Sequence, residues 1–325
     1  MVQILHGSMI LGLDIGGANT KAASSDGKFA EIVYLPLWRN APLDRVLKRL
    51  SELDPEALAV VMTGELADCY SSKIAGVKSI KSAIKAAFDC PIYFWGISGF
   101  DSQDPIDLAG ANWSASAQFI AKDIGDCIFA DMGSTTTDLI PIKKTSLAAT
   151  TDFRRLINGE LIYTGMLRTS LSSLLHAVRI QGNSVPLSSE LFAITADAYL
   201  ALGEIDQDGY ICDTPDSAEK SYDASLRRLA RTVCADFEEI GEAGALAIAE
   251  QVRDRQHRFL TNAIQRQAKA HQLKMVVAAG IGERIVSRAA TSLGMSCIRL
   301  SEMYGKNLSD IFPAYAVARL LAEKL

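Results

Sequence analysis

At 325 residues, with 49% hydrophobic and 22% charged residues, the chain is long enough for two cored domains and has the composition of a globular protein. Its net charge of −5, from 33 basic and 38 acidic residues, argues against a broad nucleic-acid-binding face, and no basic run interleaves with aromatics. No stretch approaches the roughly 20 apolar residues of a membrane helix, and the six cysteines include no CxxC pair, which points to reduced thiols in a cytoplasmic protein.

Residues 1–8 read as a leader ending in a Gly7-Ser8 cloning junction and are set aside. Met9–Leu13 reads as a buried strand, with Lys21–Ser25 as its hairpin partner across a Gly-rich turn. Asp26-Gly27 signals the next turn, and Phe29–Leu37 a third strand. Asp44–Leu53 has helical spacing, Ala57–Met62 is an apolar strand, Ser72–Ala87 a helix and Pro91–Trp95 a short strand. Ala109–Asp123 is predicted helical. Cys127–Ala130 then restarts the opening pattern, with Leu139–Ile142 as its hairpin return, an internal duplication of architecture. The second half is more helical. Helices are predicted over Thr169–Val178, Glu190–Leu202 and Ala224–Ile240, and Ala243–Lys269 forms one long helix or two. Met275–Ala279 and Met295–Leu300 are strands, and Ala314–Lys324 is a terminal helix after Pro313.

Chemistry concentrates in two related loops, Leu13-Asp14-Ile15-Gly16-Gly17-Ala18-Asn19-Thr20-Lys21 and Ala130-Asp131-Met132-Gly133-Ser134-Thr135-Thr136-Thr137-Asp138. In each, a buried strand delivers an Asp to its carboxyl end. Gly then lets backbone N–H groups approach an anion, and Ser, Thr and Asn add donors. Asp14 and Asp131 are candidates to hold a divalent cation, Mg²⁺, directly or through water. Gly16, Gly17, Asn19, Thr20, Gly133, Ser134, Thr135 and Thr136 are candidates to cradle a diphosphate. Lys21 either adds a cation or projects into solvent. A plain Gly-rich hairpin turn accounts for either loop alone; two such loops in one chain favour a polyphosphate clamp. A third turn, Gly280-Ile281-Gly282, follows a strand and precedes a helix start at Glu283, an arrangement that often sets backbone against a ligand.

The order of these pieces resembles the superfamily of actin, heat-shock ATPases and acetate and sugar kinases. The matching segments are Asp14–Lys21, Asp131–Asp138, Ala278–Glu283 and Ala314–Glu323. The resemblance implies an α/β, two-domain actin-like ATPase fold, a duplicated ribonuclease H-like unit with an interdomain cleft. The expected domains are 9–125 plus 310–325, and 126–309 with a helical insertion.

A closer resemblance covers nearly the whole chain from Met9. Besides the two loops it rests on Met62-Thr63-Gly64-Glu65-Leu66-Ala67-Asp68, Ala111-Asn112-Trp113, Tyr163-Thr164-Gly165-Met166-Leu167-Arg168-Thr169, Ala196-Asp197-Ala198-Tyr199 and Leu229-Ala230-Arg231. The chain resembles the hydantoinase/oxoprolinase-like proteins linked to tetrahydromethanopterin one-carbon metabolism. In that family the Thr-Gly-x-Leu-Arg-Thr segment is usually followed by Pro; here Ser170 stands there.

That resemblance implies a transferase of methanofuran or methylofuran biosynthesis. It would join a furanylmethyl diphosphate to the phenol oxygen of a tyramine- or tyrosine-derived, glutamylated acceptor and release diphosphate. Mg²⁺ is implied and ATP is not required. The partners are small molecules, with neither nucleic acid nor membrane, and a homodimer is a candidate assembly. Glu65, Asp68 and Asp138 are candidates to take the phenol proton; Glu65 and Asp68 equally suit a helix N-cap or first turn. Asn112 orients substrate or satisfies backbone, and Trp113 suits a core position. Arg168 suits the acceptor's carboxylates or a surface salt bridge, and Gly280 and Gly282 line the ligand or are vestigial. Two other functions stay open: an ATP-dependent small-molecule kinase, and a non-catalytic nucleotide-binding scaffold or sensor.

Overall fold

The computed structural model describes residues 9–39, 41–100 and 102–325; the leader assigned to residues 1–8 lies outside the described residues. The chain divides into two compact units. The first comprises the residues up to Phe129, Ile140–Arg155 and Leu300–Leu325, and the second Ala130–Leu139 and Leu156–Arg299.

The first unit opens with β1 (Ile10–Ile15), β2 (Asn19–Ser24) and β3 (Ala30–Tyr34), then α1 (Leu43–Ser51), β4 (Ala57–Met62), α2 (Lys73–Ala87), β5 (Ile92–Phe94), α3 (Pro105–Leu108) and α4 (Asn112–Asp123). Its strands form one sheet in the order β3-β2-β1-β4-β5, antiparallel through β3-β2-β1 and parallel through β1-β4-β5. Every residue of β1 and β4 is buried, as their unbroken apolar runs require of central parallel strands. The third strand stops at Tyr34, short of the predicted Leu37. Pro36 has no N–H to offer a ladder, and a turn of 3-10 helix follows at Leu37–Arg39.

The chain then forms β6 (Cys127–Met132), β7 (Thr137–Lys143), β8 (Thr145–Ser146) and α5 (Asp152–Asn158). The second unit continues with β9 (Leu161–Ile162), α6 (Leu171–Leu174), β10 (Ala177–Ile180), β11 (Asn183–Pro186), α7 (Thr195–Ala201), α8 (Tyr222–Arg231), α9 (Phe237–His271), β12 (Met275–Ala279), α10 (Glu283–Ser292) and β13 (Ser296–Arg299). The second sheet has the order β13-β12-β6-β7-β8, with β9 also pairing β7.

Three predicted helices differ here. Of Thr169–Val178 only α6 is helical, and β10 pairs with β11 as a hairpin. Its turn residues Gln181 and Gly182 both have positive φ, the geometry of a tight hairpin. Alternating burial along Ala177–Ile180 gives the period of two that the helical reading missed. Of Glu190–Leu202 only Thr195–Ala201 is helical. Ala224–Ile240 breaks into the end of α8 and the start of α9, with Cys234 at φ 57° between them. Helix α9 is itself broken at Gly241 (φ 63°, ψ −178°) and then runs on to His271.

The last three helices, α11 (Leu300–Tyr304), α12 (Lys306–Asp310) and α13 (Phe312–Lys324), return to the first unit. Helix α13 is buried along most of its length and packs on β1 and α4. Phe312 meets Phe119 and Phe129 at 5.8 Å between ring centroids in both pairs. Gly12 in β1 is what lets α13 sit this close: a Cβ there would collide with the Ala314 carbonyl and lie 2.9 Å from the Ala318 methyl. A Gly12→Val variant should therefore lose about 1–3 kcal/mol or more through overpacking, measured by chemical denaturation; unchanged stability would show that α13 shifts freely on the sheet.

Candidate functional site

In the first unit, β1 carries Asp14 to its penultimate position, opposite Lys21 on β2 and Val61 on β4. Asp14 is 3% exposed, and Asn112 Nδ2, at the start of α4, donates to its Oδ2 at 3.4 Å. The turn between β1 and β2 is closed by the Gly16 N–H donating to the Asn19 carbonyl at 2.9 Å. Gly16 and Gly17 are half-buried, whereas Asn19 and Thr20 are buried and Lys21 is half-buried. Thr20 Oγ1 lies within the core with no hydrogen-bond partner among the described residues.

The segment after β4 closes onto this turn. The N–H groups of Thr63 and Gly64 both donate to the Ile15 carbonyl at 2.9 Å, and a Cβ on Gly64 would stand 3.1 Å from Gly16 backbone atoms. Glu65 comes next and is 1% exposed. It lies well before α2 begins at Lys73, so it is not that helix's cap, which Ser72 supplies. Burial pushes the Glu65 carboxyl up from its ordinary value; backbone N–H groups, including that of Gly110, and the more distant charge of Lys73 pull the other way. Asp68 is exposed. Trp113 is buried in the core, with the Arg155 guanidinium stacked over its ring at 4.4 Å.

In the second unit, β6 carries Asp131 (8% exposed) and β7 begins with Thr137. Between them Gly133 to Thr136 form a half-buried turn closed by the Gly133 N–H donating to the Thr136 carbonyl at 3.0 Å. This loop is held from behind by Gly165–Arg168. Met166 N–H donates to the Gly133 carbonyl at 2.9 Å, and the N–H groups of Leu167 and Arg168 to the Ser134 carbonyl at 3.1 and 2.8 Å. Arg168 Nη1 also donates to Thr135 Oγ1 at 3.0 Å, so this side chain reaches the loop itself. Asp138, on β7, is half-buried.

Gly280 and Gly282 belong to this same half. A Cβ on Gly280 (φ 83°) would collide with Asp131 Oδ1, and one on Gly282 would stand 2.5 Å from the Met132 side chain. The Gly282 N–H donates to the Met132 carbonyl at 2.9 Å. These glycines are therefore required by the close approach of the turn to Asp131 and Met132.

The supports of the second loop escaped the sequence reading. Gln256, buried on α9, donates to Thr164 Oγ1 at 2.7 Å and to the Gly165 carbonyl at 2.8 Å, and accepts from Tyr199 OH at 2.7 Å. Thr169 Oγ1 accepts from the Gly165 N–H at 2.9 Å. Gly165 leaves no room for a side chain, since a Cβ would stand 2.5 Å from Ser134 and Thr135 backbone atoms.

Among the described residues no group of three or more His, Cys, Asp and Glu side chains converges to hold a metal. A single carboxylate beside a Gly turn is a fitting donor set for Mg²⁺, which is commonly held by one or two carboxylates with water and substrate phosphate oxygens. No helix of the described residues is long and apolar enough to cross a membrane.

The profile of the hydantoinase/oxoprolinase family matches residues 56–324. A (4-{4-[2-(gamma-L-glutamylamino)ethyl]phenoxymethyl}furan-2-yl)methanamine synthase of Methanocaldococcus jannaschii is 41% identical, over 98% of this chain and 98% of its own. The protein of the same name in Methanococcus vannielii is 36% identical, over 64% of this chain and 97% of its own. Among solved structures, a Streptomyces griseus ROK family glucokinase in complex with glucose and AMPPNP has a TM-score of 0.50 at 12% identity, covering 96% of this chain and 98% of its own. Nucleotide-free acetone carboxylase has a TM-score of 0.51 at 11% identity, covering 96% of this chain and 70% of its own. These structural likenesses show the fold, the two-domain actin-like architecture of ATPases and sugar kinases.

Two outcomes test this geometry. A Gln256→Leu variant strands the buried Tyr199 OH, while Thr164 Oγ1 keeps Thr169 and the Gly165 carbonyl keeps Thr169 and Thr195; it should cost about 1–3 kcal/mol, with faster amide exchange at 133–136, and unchanged exchange there would remove Gln256 as a support. Glu65 sets a pH dependence. Folding raises its pKa, so the folded chain holds the proton more tightly than the unfolded one. Its contribution is fully present below the ordinary value of 4.5 and is lost as pH rises through the raised one. Glu65→Gln should flatten that decline in stability curves measured from pH 4 to 8.

Proposed function

This chain belongs to the hydantoinase/oxoprolinase family, and we propose that it is a transferase joining a furanylmethyl diphosphate to the phenol oxygen of a tyrosine-derived, γ-glutamylated acceptor, with release of diphosphate. The observation that carries this reading is the 41% identity to a synthase of (furan-2-yl)methanamine phenoxymethyl ethers across 98% of both chains. The product's CH₂–O–aryl link is the bond formed. The phenol oxygen supplies the electron pair, the carbon–oxygen bond to diphosphate breaks, and the phenol proton leaves. Such a product belongs to the biosynthesis of methanofuran- or methylofuran-type cofactors, in the cytoplasm.

The chemistry assigns the residues. The electron-rich furan spreads positive charge at its methylene carbon, so loss of diphosphate is the step to assist. The N–H groups of Gly17 and Ser134 suit diphosphate oxygens, while Gly16 and Gly133, whose N–H groups close the turns, let the backbone come near, with hydroxyls of Thr20, Thr135 and Thr136 as further donors and Asn19 and Lys21 beside them. Asp14 and Asp131, each at its own loop, are the carboxylates suited to Mg²⁺, which when bound would neutralise charge on the departing diphosphate. Asn112 orients Asp14 through the hydrogen bond it donates. Arg168, beside Thr135, suits the acceptor's carboxylate or the diphosphate. Of the candidate carboxylates, Asp138 is assigned to take up the phenol proton.

No nucleotide is needed in this reading, because the substrate already carries its leaving group. The glucokinase likeness favours the rival assignment, a kinase, since that structure holds AMPPNP. Product should form without nucleotide and release one diphosphate per ether, read by mass spectrometry and a diphosphate assay. Strict dependence on ATP with accumulation of ADP would replace this reading with the kinase. Asp14→Ala and Asp131→Ala should each lower kcat by about 10²–10³ at saturating Mg²⁺ with the fold retained by circular dichroism; near-normal turnover in both would remove their assignment.

A further inference from the structure

Glu65 is a buried carboxylate that no ion pair meets among the described residues. Its Oε2 is shielded from solvent and has no hydrogen-bond partner among them. Lys73 acts on it only through space, and Asp152 opposes that effect. The other local cation is already used: Arg155 pairs with Asp152 at 3.1 Å and stacks on Trp113. Helix α2 approaches Glu65 with Gly76, where a Cβ would collide with the Glu65 carbonyl, so no side chain enters from that face. Meanwhile the Thr63 and Gly64 hydrogen bonds to Ile15 tie Glu65 to the first Asp-Gly loop. An isolated ionised carboxylate in the interior is costly until a cation meets it.

Resting on the transferase reading above, we infer that Glu65 is the receptor for a primary ammonium group of the substrates, its free oxygen receiving the ammonium in a desolvated site beside the Asp14 loop. Phenol deprotonation then falls to Asp138. Primary ammonium has two sources in this reaction. One is the aminomethyl group on the furan; the other is the α-amine of the γ-glutamyl group. The furan is the better match, because its reactive methylene bears the diphosphate that the adjacent loop is assigned to hold.

The decisive variant is Glu65→Gln, which keeps the shape and removes the charge. Furfurylamine should raise the melting temperature of the wild-type protein, and 2-methylfuran should not; the variant should respond to neither. In turnover, the variant should raise KM for the aminomethyl furan diphosphate about 10- to 100-fold, the range expected for a lost hydrogen bond to a charged group. It should match wild type on the analogue whose aminomethyl is replaced by methyl. If instead the gap closes only when tyramine replaces its γ-glutamyl derivative, the ammonium is that of the acceptor. A fall in kcat that is equal for every substrate, with KM unchanged and the acid limb of the pH profile lost, would overturn the inference and make Glu65 the base. Furfurylamine stabilisation of the wild type alone, in a protein that forms no ether, would leave this inference standing while the transferase reading fell.

Discussion

Carrying a carboxylate to the end of a fully buried strand is expensive, and much of the chain answers that expense. Asp14 and Asp131 sit at 3% and 8% exposure in strands that are otherwise apolar throughout. Water cannot reach such groups freely, and the chain around them is drawn in close. Close approach excludes side chains. Gly16 and Gly64 meet in the first unit, and Gly165 and Gly280 crowd the second loop and Asp131. Of these glycines Gly280 abuts the Asp131 carboxylate itself, and the others mark where one turn backbone packs against another.

The two halves meet that constraint differently. The first loop is braced by backbone just after the next parallel strand, through Thr63 and Gly64, and by the Asn112 side chain at a helix start. The second is braced by the backbone of Met166–Arg168, which a buried amide on α9 holds in turn through Gly165. A loop held by a hydrogen-bonded core network is set before ligand arrives, which is how electrostatic assistance acts without reorganisation during the reaction. Elsewhere in the second unit the helices are tied by a fully buried pair: Arg228 Nε donates to Asp197 Oδ1 at 2.7 Å, with Tyr210 OH and Ser225 Oγ donating to the same oxygen at 3.2 Å. That cluster serves cohesion of the helices, its remaining capacity met by Asp216, the Glu219 carbonyl and the Ile194 N–H.

How much of this was legible in the sequence depends on the range of the interaction. The Asp-Gly hairpins were, because an unbroken apolar run ending in Asp and Gly encodes strand, turn and burial within ten residues. Helix α13 was, through its spacing after Pro313. The helix predicted over Thr169–Val178 failed because a positive-φ turn at Gln181-Gly182 outweighed the apolar spacing before it. Gln256 was invisible: its partners lie 91 and 92 positions earlier, and one polar residue in an amphipathic helix carries no periodic mark of them. Glu65 could be named from its place after an apolar strand. Its orphaned oxygen could not, because only the packing of Gly76 and the engagement of Arg155 with Asp152 leave it without an ion pair among the described residues.

The return of α13 to β1 has a consequence in time. The slot that Gly12 leaves open is filled by Ala314 and Ala318, residues synthesised some three hundred positions later. At ribosomal rates of about 5–20 residues per second, the first sheet waits roughly 15–60 s with one apolar face lacking its own helix. During translation the first unit thus keeps one face of its sheet open until α13 has been made.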